Sequence, residues 1–158
     1  MFVRNGNPIN TVKFIADINS LANSWNEKFS YLNKIALEID DTYLFACAWV
    51  ACQYIGKTTV MLPNNQSGTQ EILSNNYDAI VFDKDVIFNA STESDYDIQN
   101  SETIFFTSGS TGDYKHYSKF LDNIEAESFS INKCLSKFDL LNTQVNTTVS
   151  HQHLYGFS

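Results

Sequence analysis

Short runs of strand-forming residues alternate with segments whose apolar residues recur at helical spacing, and this alternation is what most restricts the fold. Val12, Ile15, Ile18, Leu21, Ala22 and Trp25 follow one helix face, after Pro8 and a candidate cap at Asn10 or Thr11, so residues 11–26 are predicted as an amphipathic helix. Its apolar stripe needs a sheet to lie on. Residues 34–38 read as a short strand, Asp40 or Asp41 caps an apolar helix over 42–55, and Gly56 ends it before a strand over 58–62 closed by Pro63. A polar loop over 64–68 leads into a short helix over 69–73 and a compact strand over 77–82. The acidic, irregular stretch 84–101 reads mainly as exposed connection. A strand over 102–106, a loop, a strand near 116–121, a helix over 123–138 and a last strand over 144–150 complete the pattern. The helix 123–138 places Ile124, Ile131, Leu135 and Phe138 on one face. Strands alternating with helices imply an α/β domain, a largely parallel sheet flanked by helices, in which ligands bind at the carboxyl ends of strands.

Length and composition fit one folded unit. The chain has 158 residues, 43% of them hydrophobic, with twelve Phe and eight Tyr, which is the opposite of the polar, aromatic-poor composition of disordered segments. A net charge of −8 with a single arginine, Arg4, and no cluster of basic residues excludes the phosphate-backbone contacts that nucleic-acid binding relies on. Nowhere does the chain approach the roughly 20 apolar residues needed to span a bilayer, and its first residues lack the apolar core of a signal peptide. A cytoplasmic location is the expectation. Cys47, Cys52 and Cys134 form no metal-ligand pattern and leave an odd thiol, which fits a reducing compartment.

Two glycine-containing stretches invite a phosphate-loop reading, and they separate on inspection. Gly56-Lys57-Thr58-Thr59 ends like a P-loop, but Ala51 stands where the first glycine belongs, and a helix precedes it where a strand is required. Gly56 is therefore expected to terminate a helix and Lys57 to be solvated. In Thr107-Ser108-Gly109-Ser110-Thr111-Gly112, two glycines allow positive φ, so that successive backbone N–H groups can converge on an anion. Four hydroxyls add donors and Lys115 adds a charge. Hydrogen bonds to a charged group contribute about 1.5–3 kcal/mol each, so three or four suffice to hold a triphosphate. The structural alternative is a flexible Ser/Gly turn.

FTSGSTGDYK, Phe106 to Lys115, closely resembles the phosphate-loop signature of the adenylate-forming (AMP-binding) ligases, the superfamily of acyl-CoA synthetases, peptide-synthetase adenylation domains and luciferases. TSGSTG is specific to that signature. Tyr114 stands where the family usually has proline, a departure that touches loop rigidity rather than phosphate contact. Upstream, AWVACQYIGKTTVMLPNNQSGTQEIL looks like the helix, glycine, strand and proline of the family's first subdomain, and YDAIVFDKD fits the strand that follows. Downstream, VSHQHLYGFS is similar to the second core motif, a histidine followed by x-x-Gly, matched by His153 and Gly156. His151 and His116 read as ordinary residues.

The resemblance implies part of the large N-terminal domain of an adenylate-forming enzyme, with residues 1–158 one partial AMP-binding domain. It implies ATP and Mg²⁺, a small-molecule carboxylic acid converted to an acyl-adenylate, and transfer to a thiol such as coenzyme A or a carrier protein. Thr107, Ser108, Gly109, Ser110, Thr111, Gly112 and Lys115 would bind the ATP phosphates, and His153 and Gly156 would lie at the acyl-substrate pocket. No metal ligand is assigned. The family's adenine-binding segment, ribose-binding aspartate and lysine-bearing small domain have no counterpart here, so the expectation is an N-terminal fragment, inactive alone and completed by its missing portion or a complementing chain. Medium or long fatty acids and aryl acids both stay open as substrates. The alternatives are a non-catalytic nucleotide- or partner-binding remnant of such an enzyme and a plain structural α/β domain.

Overall fold

A computed structural model describes residues 2–4, 7–89, 96–108, 114–136, 149–151 and 157. The chain opens with a small antiparallel hairpin, β1 (Phe2–Arg4) and β2 (Asn7–Ile9), in which Phe2 pairs with Ile9 and Arg4 with Asn7. Too short to show a period, these strands carried no sequence signal. Helix α1 (Thr11–Lys28) follows at its expected place, and Asn10 Oδ1 caps it by accepting the Lys13 N–H at 2.8 Å.

Five strands form the main sheet: β3 (Lys34–Glu38), β4 (Thr58–Met61), β5 (Ala79–Phe82), β6 (Glu102–Ser108) and β7 (Tyr114–Phe120). Their spatial order is β5-β3-β4-β6-β7, parallel at every pairing except β6 with β7. The expected largely parallel α/β sheet is what forms. Helices α2 (Thr42–Tyr54) and α3 (Ser67–Leu73) make the crossovers, and α4 (Leu121–Leu135) leaves the end of β7.

Side-chain alternation divides the core into two layers. Ile35, Leu37, Met61, Val81 and Phe105 point to one face, where α1 and α2 cover them with Leu21, Trp25, Phe45, Cys47 and Ala48. Ala36, Val60, Ile104 and Phe106 point to the other, where Leu73 of α3 and the partly buried Tyr77 cover them. Coverage on both faces is why the central strands read as near-continuous apolar runs.

The turn after α2 disposes of the P-loop lookalike. Gly56 adopts φ 66°, its N–H reaches Gln53 O and the Lys57 N–H reaches Cys52 O at 2.9 Å, the paired bonds of a Schellman termination. Gly56 ends the helix as expected, but Lys57 is not free in solvent. Its ammonium donates to Leu32 O at 2.7 Å and pins the loop after α1.

The described part of 84–101 departs from a plain connection in a similar way. Most of it is exposed, yet Val86 enters the core, Ser20 exchanges two hydrogen bonds with the Asn89 backbone, and Tyr96 donates to Asn23 and stacks on Tyr54. These tethers run to α1 and α2, and spacing within the stretch could not have shown them. Strand β7 begins at Tyr114, two residues before its expected start, and α4 at Leu121, with Phe138 outside the described residues. Of the predicted stripe on α4, only Ile124 is buried, while Ile131 and Leu135 are exposed. Residues 144–148 of the predicted last strand lie outside the described residues, and Val149 and Ser150 are not in a strand. Among the described residues no helix is long and apolar enough to cross a membrane.

Candidate functional site

Strands β3, β4, β5 and β6 run parallel, so their carboxyl ends gather along one edge of the sheet. Thr107 and Ser108 end β6 on that edge, and β7 returns from it beginning with Tyr114 and Lys115. Between them lie Gly109, Ser110, Thr111 and Gly112, which fall outside the described residues together with Asp113, as do His153 and Gly156 of the second motif. The backbone pairing of the flanking strands frames the loop. Thr107 pairs with Lys115 and Ser108 with Tyr114 across the antiparallel ladder. Directly opposed residues point to the same face, which puts the Thr107 hydroxyl and the Lys115 side chain side by side at the mouth of the hairpin. Lys115 is exposed, and among the described residues no carboxylate pairs with its ammonium.

Tyr114, which stands where the resembled signature has proline, faces the opposite side. Its hydroxyl bonds with that of Thr69 in α3 at 3.1 Å. Helix α3 also holds the end of β3, since Gln70 Nε2 donates to Glu38 Oε2 at 2.8 Å. Proline would fix the hairpin exit through its ring; here a side-chain hydrogen bond to a neighbouring helix fixes it. Burial pushes the Glu38 carboxyl above its ordinary value, the Gln70 bond partly opposes that, and nearby Asp40 adds to it.

On the Lys115 face, the first two turns of α2 form the adjoining wall. Asp41 caps α2 by accepting the N–H groups of Tyr43 and Leu44 at 2.9 and 3.0 Å, and also receives Arg4 at 2.8 Å. Asp83, just past β5, accepts the backbone N–H groups of Asp40 and Asp41, both at 2.9 Å. Burial alone would raise its pKa, but those two donors, with His151 nearby, leave it below the ordinary value. One carboxylate thereby locks the turn between β3 and α2.

Two residues flanking the second motif reach this wall. His151 places Nε2 2.8 Å from Ile39 O and its ring 4.4 Å from that of Phe45. Phe157 packs among Phe45, Trp49 and Phe105, with centroid distances of 6.1, 5.0 and 5.2 Å. Phe105 lies two residues before Thr107, on the same face of β6. The neighbours of the two motifs thus meet, although they are some fifty positions apart in sequence. Beneath them Trp49 Nε1 donates to Thr103 Oγ1 at 3.0 Å, and Thr103 bonds Thr59 at 3.0 Å inside the core. The sequence marked Tyr114 as the departure from proline but singled out none of Thr69, Glu38, Trp49 or Phe157 as site neighbours, and His151 read as ordinary; the available signal was that His151 and Phe157 flank a motif.

Among the described residues no group of three or more His, Cys, Asp or Glu gathers as ligands. The thiols divide by burial. Desolvation pushes Cys47 and Cys52 up to about 12, whereas Cys134 on α4 is exposed.

No family model matches the chain, and no curated protein matches it. Solved structures do. O-succinylbenzoate coenzyme A synthetase (MenE) from Bacillus subtilis, in complex with ATP and magnesium ion, superposes with a TM-score of 0.73 at 14% identity over 98% of this chain and 48% of that one. McyG A-PCP complexed with phenylalanyl-adenylate gives a TM-score of 0.68 at 17% identity over 98% of this chain and 30% of that one. The N-terminal domain of FACL13 from Mycobacterium tuberculosis gives 0.58 at 12% identity, covering 92% and 45%. The chain spans about half the length of the MenE structures it matches. Five strands in this order, the helices that flank them, and these superpositions over nearly the whole chain establish the fold as that of the N-terminal α/β domain of adenylate-forming ligases.

Proposed function

We propose that this chain supplies the phosphate-holding part of an adenylate-forming ligase, an enzyme that activates a carboxylic acid with ATP and passes the acyl group to a thiol such as coenzyme A or a carrier protein. One observation carries this reading: in a fold shared with such ligases, strand β6, which leads into TSGSTG, meets Phe157, which follows the second motif, and His151, which precedes that motif, packs on the same wall of α2. In the reaction, a carboxylate oxygen attacks the α-phosphorus, the bond from that phosphorus to the bridging oxygen breaks, and pyrophosphate leaves with the electron pair. Loop 107–112 and Lys115 would hold the β- and γ-phosphates and offset the charge that builds on the leaving group. His153 and Gly156 would border the acid. Mg²⁺ would enter as a partner of the triphosphate, neutralising its charge; the described residues hold no ligand set for it, and no step is routed through the ion.

The test is titration of the 158-residue protein with pyrophosphate and then with Mg-ATP, followed by amide NMR. Shifts centred on residues 106–116 are expected, with affinity roughly 10- to 150-fold lower in Lys115→Ala, because a charge-assisted bond contributes about 1.5–3 kcal/mol. A loop that does not respond to either ligand leaves a plain structural domain. ATP–pyrophosphate exchange over a panel of fatty and aryl acids then separates a catalytic part from a remnant that binds nucleotide without forming adenylate.

A further inference from the structure

We propose that the cavity between the N-terminal hairpin and the first turns of α1 and α2 binds a small organic monocarboxylate, one with an aryl or short aliphatic body. It shares no residue with the hairpin that bears TSGSTG or with the second motif, so it stands apart from the ligase reading above. The cavity measures about 390 Å³, within the roughly 300–1,000 Å³ usual for small-molecule sites. Arg4 from the end of β1, and Lys13 and Asp17 one turn apart on α1, give it charge, while Pro8 and Ile9 of β2 and Phe88 beyond β5 give it apolar walls.

What the cavity lacks is an acceptor. Asp17 is buried and already receives the Lys13 ammonium on both oxygens, at 3.0 and 2.8 Å, and the Tyr43 hydroxyl at 2.5 Å. Burial, with Asp17 beside it, pushes the Tyr43 hydroxyl above its ordinary value, so it stays a donor. Arg4 spends only Nε, on Asp41 at 2.8 Å, and among the described residues no other acceptor bonds its guanidinium. Its two Nη groups form the planar fork that suits a carboxylate. The guanidinium lies 5.6 Å from the centroid of the Tyr43 ring and the Lys13 ammonium 5.9 Å from that of Phe88, so each cation is braced by an aromatic face. The walls then choose among anions. Inorganic phosphate would lose water against Pro8, Ile9 and Phe88 without gaining a bond from them, whereas the hydrocarbon end of an organic acid is favoured by the same surface. The frame exists beforehand, because Ser20 ties the Asn89 backbone next to Phe88 onto α1, and Asp41 caps α2 two residues before Tyr43.

Benzoate tests the site by amide NMR on the 158-residue protein, with benzamide as its uncharged isostere and inorganic phosphate as an anion without a body. Saturable shifts centred on Ile9, Lys13, Tyr43 and Phe88 are expected with benzoate alone. Arg4→Gln is expected to weaken benzoate about tenfold or more, as befits a lost charge-assisted bond. Lys13→Gln should weaken it several-fold, and the indole signal of the buried Trp25 reports whether each variant keeps the fold. No saturable response to benzoate overturns the proposal, as does an equal response to benzamide or phosphate, or an unchanged affinity in Arg4→Gln. Shifts centred on Trp49 and Phe157 instead overturn it too, since they place the acid at the candidate site. If Arg4→Gln disturbs Trp25, Lys13→Gln decides in the same way, because the Lys13 side chain is 59% exposed and its loss opens no core. Pyrophosphate titration of the parent protein reads the phosphate hairpin separately: a silent hairpin sinks the ligase reading, while benzoate still decides this site.

Discussion

Strands β3 and β7 lie in one sheet, five and seven residues long, and have almost nothing else in common. Four of the five residues of β3 are buried, with a helix over each face, and Ile35, Ala36 and Leu37 are wholly shielded from solvent. None of the seven residues of β7 is buried, and its outer edge has no neighbouring strand among the described residues. Lys115 and Lys119 stand on this edge, the residue type that blunts unwanted strand pairing, and Lys119 also reaches Glu127 of α4 at 2.5 Å. The interior of the sheet is thus built for stability, and the β7 edge for presenting groups to solvent.

If that division is right, substitutions should have effects that fall steeply from the interior to the edge. The largest is expected in the α1 layer, where Trp25 is 2% exposed and packs edge-on against Phe29. Trp25→Ala should cost about 3–5 kcal/mol in a urea melt, much of the roughly 5–15 kcal/mol available to a domain of this kind. A loss near 1 kcal/mol would mean that the stable core lies elsewhere.

A smaller and opposite effect is expected at the end of β3. Glu38 has its folded-state pKa raised above the ordinary 4.5, mainly by burial, so its contribution to stability is fully present below that value and is lost as pH rises through the raised one. Glu38→Gln keeps the bond to Gln70 without the buried charge and should melt higher than the parent at neutral pH, the gap closing as pH falls below 4.5. A gap that widens on acidification would reverse the assignment. The smallest effect is expected on α4: Phe129 is 72% exposed, and Phe129→Ser should shift stability by no more than about 0.5 kcal/mol. A larger loss would show that this helix face is covered after all.

What the sequence revealed follows the same division. Helices α1 and α2, their caps and strands β3 and β4 were legible because burial imposes period and composition on each of them separately. The edge was less so. Strand β7 has Lys, His, Tyr and Ser where a core strand would have aliphatics, so its start was placed two residues late, and the apolar spacing on α4 suggested a buried stripe of which, among the described residues, only Ile124 is covered. At the site, the hairpin frame was readable from Thr107 and Lys115 on either side of the glycines. The supports behind it were not, because Tyr114 with Thr69, Trp49 with Thr103 and His151 with Ile39 join positions 45, 54 and 112 residues apart. Contacts of that range leave no local pattern.

The antiparallel return of β7 bears on the order in which the molecule assembles. Two parallel strands must wait for a crossover of a dozen or more residues to fold between them, as β3 and β4 do with α2. Strands β6 and β7 are separated by only five residues, and a hairpin of that kind closes on the scale of about 1–10 microseconds. The strands on either side of TSGSTG can therefore pair as neighbours in the chain before the rest of the sheet exists. The wall on the hairpin's Lys115 face and the Tyr114–Thr69 bond on its other face depend on distant contacts.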